Sequence, residues 1–513
     1  MSVESPARES VPAQRVRPVD PYRVAGAVVF ALSVAFALRH PLSGDLGMHV
    51  ATVERLRENL THPGNPLVEA DVPSAYYSPY TLTLALLARL TGLSAATVLA
   101  GAGPVVIALL LVGLRAFVRT LSAHRYAPVL ALVFLLVLWG PHPRVWSGFF
   151  GLWGMPLTQA FPATLALALT LLFWAGLTRT LTRTLTRTLT RTLDRATVWP
   201  AWIGLGLLAG VIALTHQFTF VTAALGAAAI VAGRVRRLPP RAWLGLALAT
   251  AVWLVVLLTW PYYSFFALFG VTGLDDINKF VYWSPWAYYG LAAVGLPALW
   301  LRFRRSRLDP LVLLFVGAAV VVTIGALTHR YALGRSWPAV LLAAQLALAV
   351  ELPDLPAGTL RRIWYPVTAL ACVAGFVTQG AHLTYALPRP WVPHVLARFD
   401  DTWPDYGWLA RYVHPGEVLV TSDYYALRTV PAYGIRTIPP AWPDPFLPDQ
   451  ARRWHELAVI HDLRVDPAIR RELLARYHAH WVLEIPGSWA ISAGQQPVAI
   501  GPLGQRLYRV PGT

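Results

Sequence analysis

Residues 196–233 read ATVWPAWIGLGLLAGVIALTHQFTFVTAALGAAAIVAG and contain no Asp, Glu, Lys or Arg. A helix needs roughly 20 apolar residues to cross the hydrocarbon core of a bilayer, so this stretch is long enough for two crossings. The polar tripeptide Thr215-His216-Gln217 lies at its middle. We therefore predict a hairpin of two membrane-spanning helices that turns at this tripeptide.

Comparable runs without acidic or basic residues recur along most of the chain. Each is long enough, or nearly long enough, for one crossing. Together with the hairpin they predict an all-α, multi-pass membrane domain at residues 24–387 with about eleven transmembrane helices. The clear runs are 95–114, 126–142, 156–178, 242–274, 280–301 and 310–329, and the shorter ones are 24–38, 336–350 and 363–387.

The composition of the whole chain agrees with a membrane protein. Of its 513 residues, 56% are hydrophobic and only 13% are charged, about half the charged share of a soluble globular protein. The net charge is nevertheless +17. A soluble nucleic-acid-binding protein would be rich in charge, so we expect membrane lipids as partners and no nucleic acid. The single cysteine, Cys372, excludes a disulfide framework and a cysteine-based zinc site.

The orientation follows from the basic residues, because cytoplasmic loops carry an excess of Arg and Lys. Before residue 388, the segments that we assign to the cytoplasm hold 22 basic residues and the opposite segments hold 8. The N-terminal tail, 1–23, is therefore expected in the cytoplasm, and an odd number of spans places the C-terminal end outside. The cytoplasmic segments are 1–23, 115–125, 178–195, 234–241, 302–307 and 352–362, and the opposite segments are 39–94, 140–156, 215–217, 260–285 and 328–335.

One cytoplasmic segment, residues 177–195, is a low-complexity Leu-Thr-Arg-Thr repeat. Its four-residue period keeps the leucines near one face of a helix and the arginines near another. The repeat is interpreted either as a solvated, slippage-expanded loop, which is the usual nature of such charge runs, or as an arm that binds lipids of the inner leaflet.

The composition changes from residue 388 onward to that of a soluble domain. Twelve of the 26 acidic residues lie beyond residue 399. Residues 417–422 and 481–485 are typical of buried strands, and 449–461 and 466–477 of helices with Asp at the N-cap. Residues 388–513 are therefore predicted to form a small extracytoplasmic α/β domain.

The first outer loop, residues 39–94, is the richest in candidate chemistry. Residues 45–60 have the apolar spacing of an amphipathic helix lying on the membrane, and residues 77–91 are interpreted as a second, interfacial or re-entrant helix. Asp45 and His49, four residues apart, share a face at the start of the first helix. The pair suits a general base acting on a hydroxyl or a metal site, and the alternative is that Asp45 only caps the helix.

A second aromatic and acidic cluster lies in the outer segment 260–285. Asp275 and Asp276 stand there among Trp and Tyr residues. Aromatic rings beside carboxylates suit sugar binding, through stacking on C–H faces and hydrogen bonds to hydroxyls. The alternative is an ordinary turn in the aromatic belt found at membrane interfaces.

As a whole arrangement, the chain resembles the GT-C glycosyltransferases. The resemblance rests on Gly44-Asp45-Leu46-Gly47-Met48-His49 after the first span and on Tyr76-Tyr77-Ser78-Pro79-Tyr80. It also rests on Arg330-Tyr331 and Arg335-Ser336-Trp337-Pro338 before a late span, and on the outer C-terminal domain. Members are multi-pass enzymes that use polyprenyl-phosphate-linked sugars as donors. The resemblance implies an enzyme of the cytoplasmic membrane, with Tyr76 and Tyr77 as candidate sugar- or acceptor-binding residues. A bacterial source is expected from the strong excess of Arg over Lys, since Lys279 is the only lysine.

The implied reaction is an inverting sugar transfer to an acceptor hydroxyl. Asp45, with His49 beside it, matches the catalytic acidic residue that removes the hydroxyl proton. The leaving phosphate needs a cation, and Arg335 is the first candidate because a guanidinium binds phosphate through two N–H groups. The alternative for Arg335 is an interfacial anchor, and His216 is equally a loop histidine. Weaker candidates for the phosphate are Arg330, His329 and His216.

Neither the donor sugar nor the acceptor class, whether lipid, glycan or protein, follows from the sequence. No cofactor is expected. Adjacent aspartates are a poor metal signature, and a divalent metal is left unassigned because members of the resembled family differ in metal dependence. Two other classes of function stay open. The first is a transporter or flippase of lipid-linked sugars, although no acidic residue lies within the spans as a proton pathway would need. The second is a non-catalytic membrane scaffold.

Overall fold

The computed structural model describes residues 19–39, 42–190, 199–270, 273–398, 403–486 and 495–511. Most of the predicted cytoplasmic tail, residues 1–18, and the last part of the Leu-Thr-Arg-Thr repeat, residues 191–195, lie outside the described residues.

Sixteen α-helices make up the membrane domain and its first outer loop within the described residues. Several are continued by short 3₁₀ turns. They are α1 (Pro21–Arg39), α2 (Leu46–Glu58), α3 (Pro79–Thr91), α4 (Ala95–Leu121), α5 (Ala127–Val137), α6 (Met155–Thr158), α7 (Pro162–Thr190), α8 (Trp199–Thr215), α9 (Gln217–Ala232), α10 (Pro240–Leu258), α11 (Leu274–Asn278), α12 (Pro285–Tyr289), α13 (Leu296–Arg305), α14 (Pro310–Leu327), α15 (Trp337–Glu351) and α16 (Thr359–Gln379).

Seven of these helical segments are long and apolar enough to cross a membrane, counted over the described residues, so the chain is a multi-pass membrane protein. They contain α1, α4, α7, α10, α14, α15 and α16. Three shorter apolar helices, α5, α8 and α9, add to them. The predicted number of about eleven spans is therefore not reached by full-length helices.

The predicted span 280–301 is divided into short pieces. A 3₁₀ turn at Lys279–Tyr282 is followed by α12, a second 3₁₀ turn at Gly290–Gly295 and α13. Pro285 begins α12 and Pro297 lies in the first turn of α13. Proline lacks a backbone N–H and favours helix starts over helix interiors, so two prolines in this run favour restarting over continuing the helix.

The hairpin predicted for residues 196–233 is present. Helix α8 ends at Thr215, His216 is extended with φ −158° and ψ 104°, and α9 begins at Gln217. The His216 ring caps α9, because its Nδ1 accepts a hydrogen bond from the Thr219 N–H at 3.2 Å. One residue therefore makes the whole turn.

The Leu-Thr-Arg-Thr repeat is helical as far as it is described. Helix α7 continues through it to Thr190, and Leu177 and Leu181 are buried. Arg179 donates a hydrogen bond to the Ala116 carbonyl of α4 at 3.2 Å. The beginning of the repeat is thus a packed extension of a span, and the interpretation as a solvated loop does not describe it. A four-residue period keeps its leucines on the face that packs.

The two helices predicted in the first outer loop are also present. Helix α3 begins with a capping box between Ser78 and Thr81 and has 13 residues. Helix α2 differs from the expectation of a helix lying on the membrane, because it is buried from Leu46 through Val53. It packs beneath the C-terminal domain, as described below.

The C-terminal domain is an α/β unit with one five-stranded sheet in the order β2-β1-β3-β5-β4. Strand β1 is parallel to β2 and β3, and β5 is antiparallel to β3 and β4. The elements are α17 (His394–Ala397), β1 (Val418–Val420), α18 (Ala426–Thr429), β2 (Arg436–Thr437), α19 (Gln450–His461), α20 (Pro467–Arg476), β3 (Ala479–Glu484), β4 (Ala499–Ile500) and β5 (Arg506–Arg509).

The edge strand β2 ties this domain to the first outer loop. The Thr437 N–H donates to the Leu67 carbonyl at 3.0 Å, and Val68 forms a parallel bridge with Thr437. Arg453 of α19 also donates to the Glu69 carbonyl at 3.3 Å. The start of α2 also contacts this domain, because Gly47 lies against the backbone of Arg428 and Thr429. The first outer loop therefore joins the membrane domain to the C-terminal domain.

Candidate active site

Asp45 lies immediately before α2, where a capping role was the alternative interpretation. Its side chain makes no capping hydrogen bond to the helix. Instead, Asp45 Oδ1 accepts a hydrogen bond of 2.8 Å from the indole N–H of Trp442. The carboxylate is thus held by a residue of the C-terminal domain, 397 positions away in the sequence.

His49 lies one turn further along α2 and is buried. Its ring makes edge contacts with Tyr76 and Phe161, at centroid distances of 5.9 and 5.3 Å. Burial lowers the pKa of His49 to about 4, against the opposing attraction of the Asp45 charge. The imidazole is therefore neutral at neutral pH, and its Nδ1 has no hydrogen-bond partner among the described residues.

Arg335 ends the 3₁₀ turn Tyr331–Ser336 that leads into α15, and it is 8% exposed. Its guanidinium lies over two aromatic rings, 4.7 Å from the centroid of Phe218 and 5.4 Å from that of Trp146. Over the part of the chain that is described, no carboxylate and no hydrogen-bond acceptor contacts it. The Asp45 carboxylate is near enough to attract it electrostatically. A buried cation without a contacting counter-ion is unfavourable, and an anion placed beside it would remove that cost.

His216, at the turn between α8 and α9, is close to the same group. Its Nε2 lies 3.3 Å from Ser147 Oγ and its Nδ1 2.7 Å from Thr219 Oγ1. Burial, followed by the charge of Arg335, holds the pKa of His216 well below its usual value. Since Nδ1 accepts the Thr219 N–H, the neutral ring carries its hydrogen on Nε2.

A cavity joins Arg335 and His216 to the interior of the membrane domain. Ser147, Thr219 and Gln345 supply polar groups to it, and the remainder of the wall is largely apolar. Its lining residues are Leu135, Trp139, Ser147, Gly148, Phe150, Leu167, His216, Phe218, Thr219, Thr222, Arg335, Pro338, Leu342 and Gln345. A cation beside an apolar-walled cavity suits an amphiphile with an anionic head.

Two tyrosines singled out from the sequence have different surroundings. Tyr76 contacts the His49 ring, and burial together with the charge of Asp45 raises its pKa. Tyr77 is turned away, since its hydroxyl donates to the Gly64 carbonyl at 2.6 Å. Tyr76 thus belongs to the Asp45 cluster, whereas Tyr77 holds the outer loop together.

The two adjacent aspartates do not lie in the cavity. Asp275 Oδ1 accepts the Ala332 N–H at 2.9 Å, so Asp275 fixes the turn that carries Arg335. Asp276 is exposed. His329 and Arg330 are also exposed, and neither lines the cavity. Among the described residues, no group of three His, Cys, Asp or Glu side chains is arranged to hold a metal ion.

Three residues contribute to the site although the sequence does not identify them as site residues: Trp442, Arg428 and Trp146. The ring of Trp442 contacts that of Trp146 at 5.7 Å, so the two tryptophans connect Asp45 to Arg335. Arg428 stacks on Trp442 at 3.9 Å. Trp146 belongs to an aromatic outer loop that is visible in the sequence, but no motif marks Trp442 or Arg428.

The chain matches known proteins in its structure, and the sequence comparisons find no match. No protein-family model matches the sequence, and no curated protein does. The structure of the Archaeoglobus fulgidus oligosaccharyltransferase tethered to an acceptor peptide matches with a TM-score of 0.56 and 12% identity, over 90% of this chain and 69% of that chain. The chain has the GT-C fold.

Two further solved structures are similar to the chain. The same archaeal oligosaccharyltransferase, AglB, in complex with an inhibitory peptide and a dolichol-phosphate matches with a TM-score of 0.55 and 12% identity, over 90% of this chain and 69% of that one. The mycobacterial arabinofuranosyltransferase AftD matches with a TM-score of 0.48 and 15% identity, over 90% of this chain and 35% of that one.

Proposed function

We propose that the chain is a membrane glycosyltransferase that moves a sugar from a polyprenyl-phosphate donor to an acceptor hydroxyl with inversion at the anomeric carbon. Asp45 is the general base, and Arg335 binds the donor phosphate. The reaction takes place on the outer side of a bacterial cytoplasmic membrane, the side to which the C-terminal domain is assigned.

One observation carries this proposal: a buried arginine without a contacting counter-ion lies within electrostatic reach of Asp45. Both the acceptor hydroxyl and the leaving phosphate of a sugar transfer need a group that stabilises their change of charge. A base must accept a proton from the hydroxyl, and a cation must neutralise the leaving phosphate. Asp45 and Arg335 supply these two functions across the Trp442–Trp146 pair.

The proposed chemistry is a single displacement. The acceptor oxygen attacks the anomeric carbon as its proton passes to the Asp45 carboxylate. The bond between that carbon and the phosphate oxygen breaks, and its electron pair stays on the phosphate, where the Arg335 guanidinium stabilises the added charge. The Nε2–H of His216 is a second, neutral donor for the same phosphate.

The cavity below Arg335 supports a lipid-linked donor. Arg335 and His216 line it and the rest of its wall is largely apolar, as a phosphate attached to an isoprenoid chain requires. The structurally similar AglB was solved in complex with a dolichol-phosphate. For this chain we propose that a polyprenyl chain enters the apolar part of the cavity.

The two alternative functions are less well supported. A scaffold would not need Asp45 to lie near a buried, unpaired cation, because that arrangement has an energetic cost and no structural use. A flippase would need a polar path, whereas the wall of the cavity below Arg335 and His216 is largely apolar.

The proposal is tested by measuring binding of polyprenyl phosphate to the purified protein in nanodiscs. Arg335→Gln removes the cation, so we expect affinity to fall about 10- to 100-fold, the value of a charge-assisted hydrogen bond. Arg335→Lys keeps the charge but loses the two-pronged geometry and should be intermediate. Arg389→Gln is the control, because Arg389 is an exposed arginine of the C-terminal domain. Equal affinity of Arg335→Gln and the wild-type protein would contradict the assignment.

A further inference from the structure

Four aromatic side chains of the C-terminal domain form a continuous series of ring contacts that begins at Asp45. The Trp442 indole donates to Asp45, and its ring lies 6.5 Å from that of Tyr424. Tyr424 contacts Tyr425 at 5.4 Å, and Trp403 contacts Tyr425 at 5.0 Å and Tyr424 at 5.9 Å. We name Trp442, Tyr424, Tyr425 and Trp403 the aromatic strip.

The strip is fixed from beneath and open to solvent on its outer side. The Arg428 guanidinium lies 3.6 Å from the Tyr424 ring centroid and 3.9 Å from that of Trp442, so it is stacked against both. Arg428 also donates to the carbonyls of Tyr424 and Ala441, at 2.6 and 3.2 Å. Tyr424 and Tyr425 nevertheless keep 48% and 40% of their surface exposed. Large exposed rings in a rigid setting mark a binding surface.

The four rings of the aromatic strip carry no charge, and this limits the classes of ligand that the strip can bind. Asp423 and Arg428, the charged residues next to Tyr424 and Tyr425, are both buried. Asp405, two residues after Trp403, is exposed and carries a negative charge. An anionic membrane surface is bound by clusters of exposed Lys and Arg, and the strip has no such cluster among its own residues. Tyr and Trp rings combine an apolar face with a polar edge. That combination matches a sugar, which presents C–H groups on its faces and hydroxyls at its rim.

We infer that the acceptor is a carbohydrate chain that lies along the aromatic strip and presents its reactive hydroxyl at Asp45. This inference rests on the proposed function and names its acceptor class. The sugar nearest the reaction stacks at Trp442, and the sugars further from it stack at Tyr424, Tyr425 and Trp403. A chain bound in this way is positioned by several rings, so a single exposed ring contributes only part of the affinity.

The test measures binding by the full-length protein in nanodiscs, using saturation-transfer NMR. The probes are a linear mannotetraose, a linear arabinotetraose and the peptide acetyl-Asn-Val-Thr-amide. We expect the wild-type protein to bind at least one tetrasaccharide, and the double variant Trp403→Ala/Tyr425→Ala to bind it about tenfold more weakly. Tyr425→Phe should bind it nearly as well as the wild-type protein does, because it keeps the ring.

Trp454→Ala is the matched control, since Trp454 is a 40% exposed tryptophan on α19 of the same domain. Three results would overturn the inference: binding of the peptide and of neither tetrasaccharide, no binding of any probe, or equal affinity of the double variant and the wild-type protein. Polyprenyl-phosphate binding is measured on the same samples. If the wild-type protein fails to bind that lipid, the proposed donor site is wrong, whereas lipid binding without strip-dependent sugar binding refutes the acceptor site alone.

Discussion

At the scale of the residue, the main feature of the site is that the Asp45 carboxylate and the Arg335 guanidinium lie near each other without forming an ion pair. Aromatic rings lie between them: Trp442 donates to Asp45, and Trp146 contacts both Trp442 and Arg335. A direct salt bridge would neutralise both groups and leave neither for a substrate. The tryptophans hold the two charges near each other and keep them available.

Trp442→Phe tests this role of the indole. The substitution keeps an aromatic ring against Arg428 and Trp146 but removes the N–H that orients Asp45. A typical intramolecular hydrogen bond contributes about 1 kcal/mol, so we expect kcat to fall roughly 5- to 10-fold with little change in donor affinity. Steady-state sugar transfer and lipid binding measure the two quantities. An unchanged kcat would show that Asp45 does not need this contact.

The sequence alone could find some of these residues and not others. Asp45 and Arg335 stand out because each is a charged group in a charge-poor membrane domain, and because the whole arrangement resembles a known family. Trp442 is one of 21 tryptophans, and nothing in its surrounding sequence links it to Asp45. Its role depends on a contact across 397 positions, which periodicity and local motifs do not report.

At the scale of the element, α2 determines how the two domains meet. It begins immediately after Asp45, packs against α18, and lies close to the backbone of the C-terminal domain at Gly47. A Cβ atom on Gly47 would stand 2.8 Å from the Thr429 Cα, and nearer still to the Arg428 carbonyl oxygen. Only glycine permits this approach.

Gly47→Ala should therefore separate α2 from α18. We expect a loss of about 1–3 kcal/mol, the usual cost of overpacking, seen as a lower thermal unfolding midpoint, together with reduced sugar transfer. Gly101→Ala in α4 is the matched control, because no atom outside the adjacent backbone of its own helix lies within 4 Å of the position of its Cβ. In that helix the same change should be neutral or slightly stabilising. Equal effects of the two substitutions would mean that the close approach at Gly47 is unimportant.

The helices and strands whose apolar residues follow a long and regular pattern could be predicted from the sequence. The α8–α9 hairpin is present with its turn at His216, and strands and helices occur where the C-terminal sequence indicates them. The prediction of one continuous span at 280–301 is wrong. It rests on the absence of charge, whereas Pro285 and Pro297 favour restarting the helix. The surroundings of α2 were also misjudged. Its charged face indicated exposure, but a C-terminal domain hundreds of residues later covers much of the helix.

At the scale of the whole molecule, the distribution of charge predicts which side of the membrane each segment faces. The segments assigned to the cytoplasm hold 22 basic residues and the opposite ones 8. Asp45, Arg335 and the C-terminal domain form one contiguous cluster. If the domain is outside, the proposed reaction takes place outside as well, and its proposed donor is then a lipid that already carries its sugar on that side.

Cysteine labelling tests this orientation in the full chain. In a Cys372→Ala background, Ala475→Cys marks the exposed surface of the C-terminal domain and Ser306→Cys marks the exposed loop before α14. We expect a membrane-impermeant maleimide to label the first in intact cells and the second only after permeabilisation. The reverse pattern would place the site in the cytoplasm and contradict the proposed topology.

The most direct test of the central claim is Asp45→Asn in a single-turnover assay of sugar transfer from a labelled polyprenyl-phosphate donor. The amide keeps the shape of the side chain and can still accept the Trp442 hydrogen bond, but it cannot take up the hydroxyl proton. We predict a fall in transfer rate of about 10²- to 10⁴-fold, with donor affinity unchanged. The matched control is Asp71→Asn, which alters an exposed carboxylate of the same outer loop. Transfer by Asp45→Asn at the wild-type rate would contradict the account.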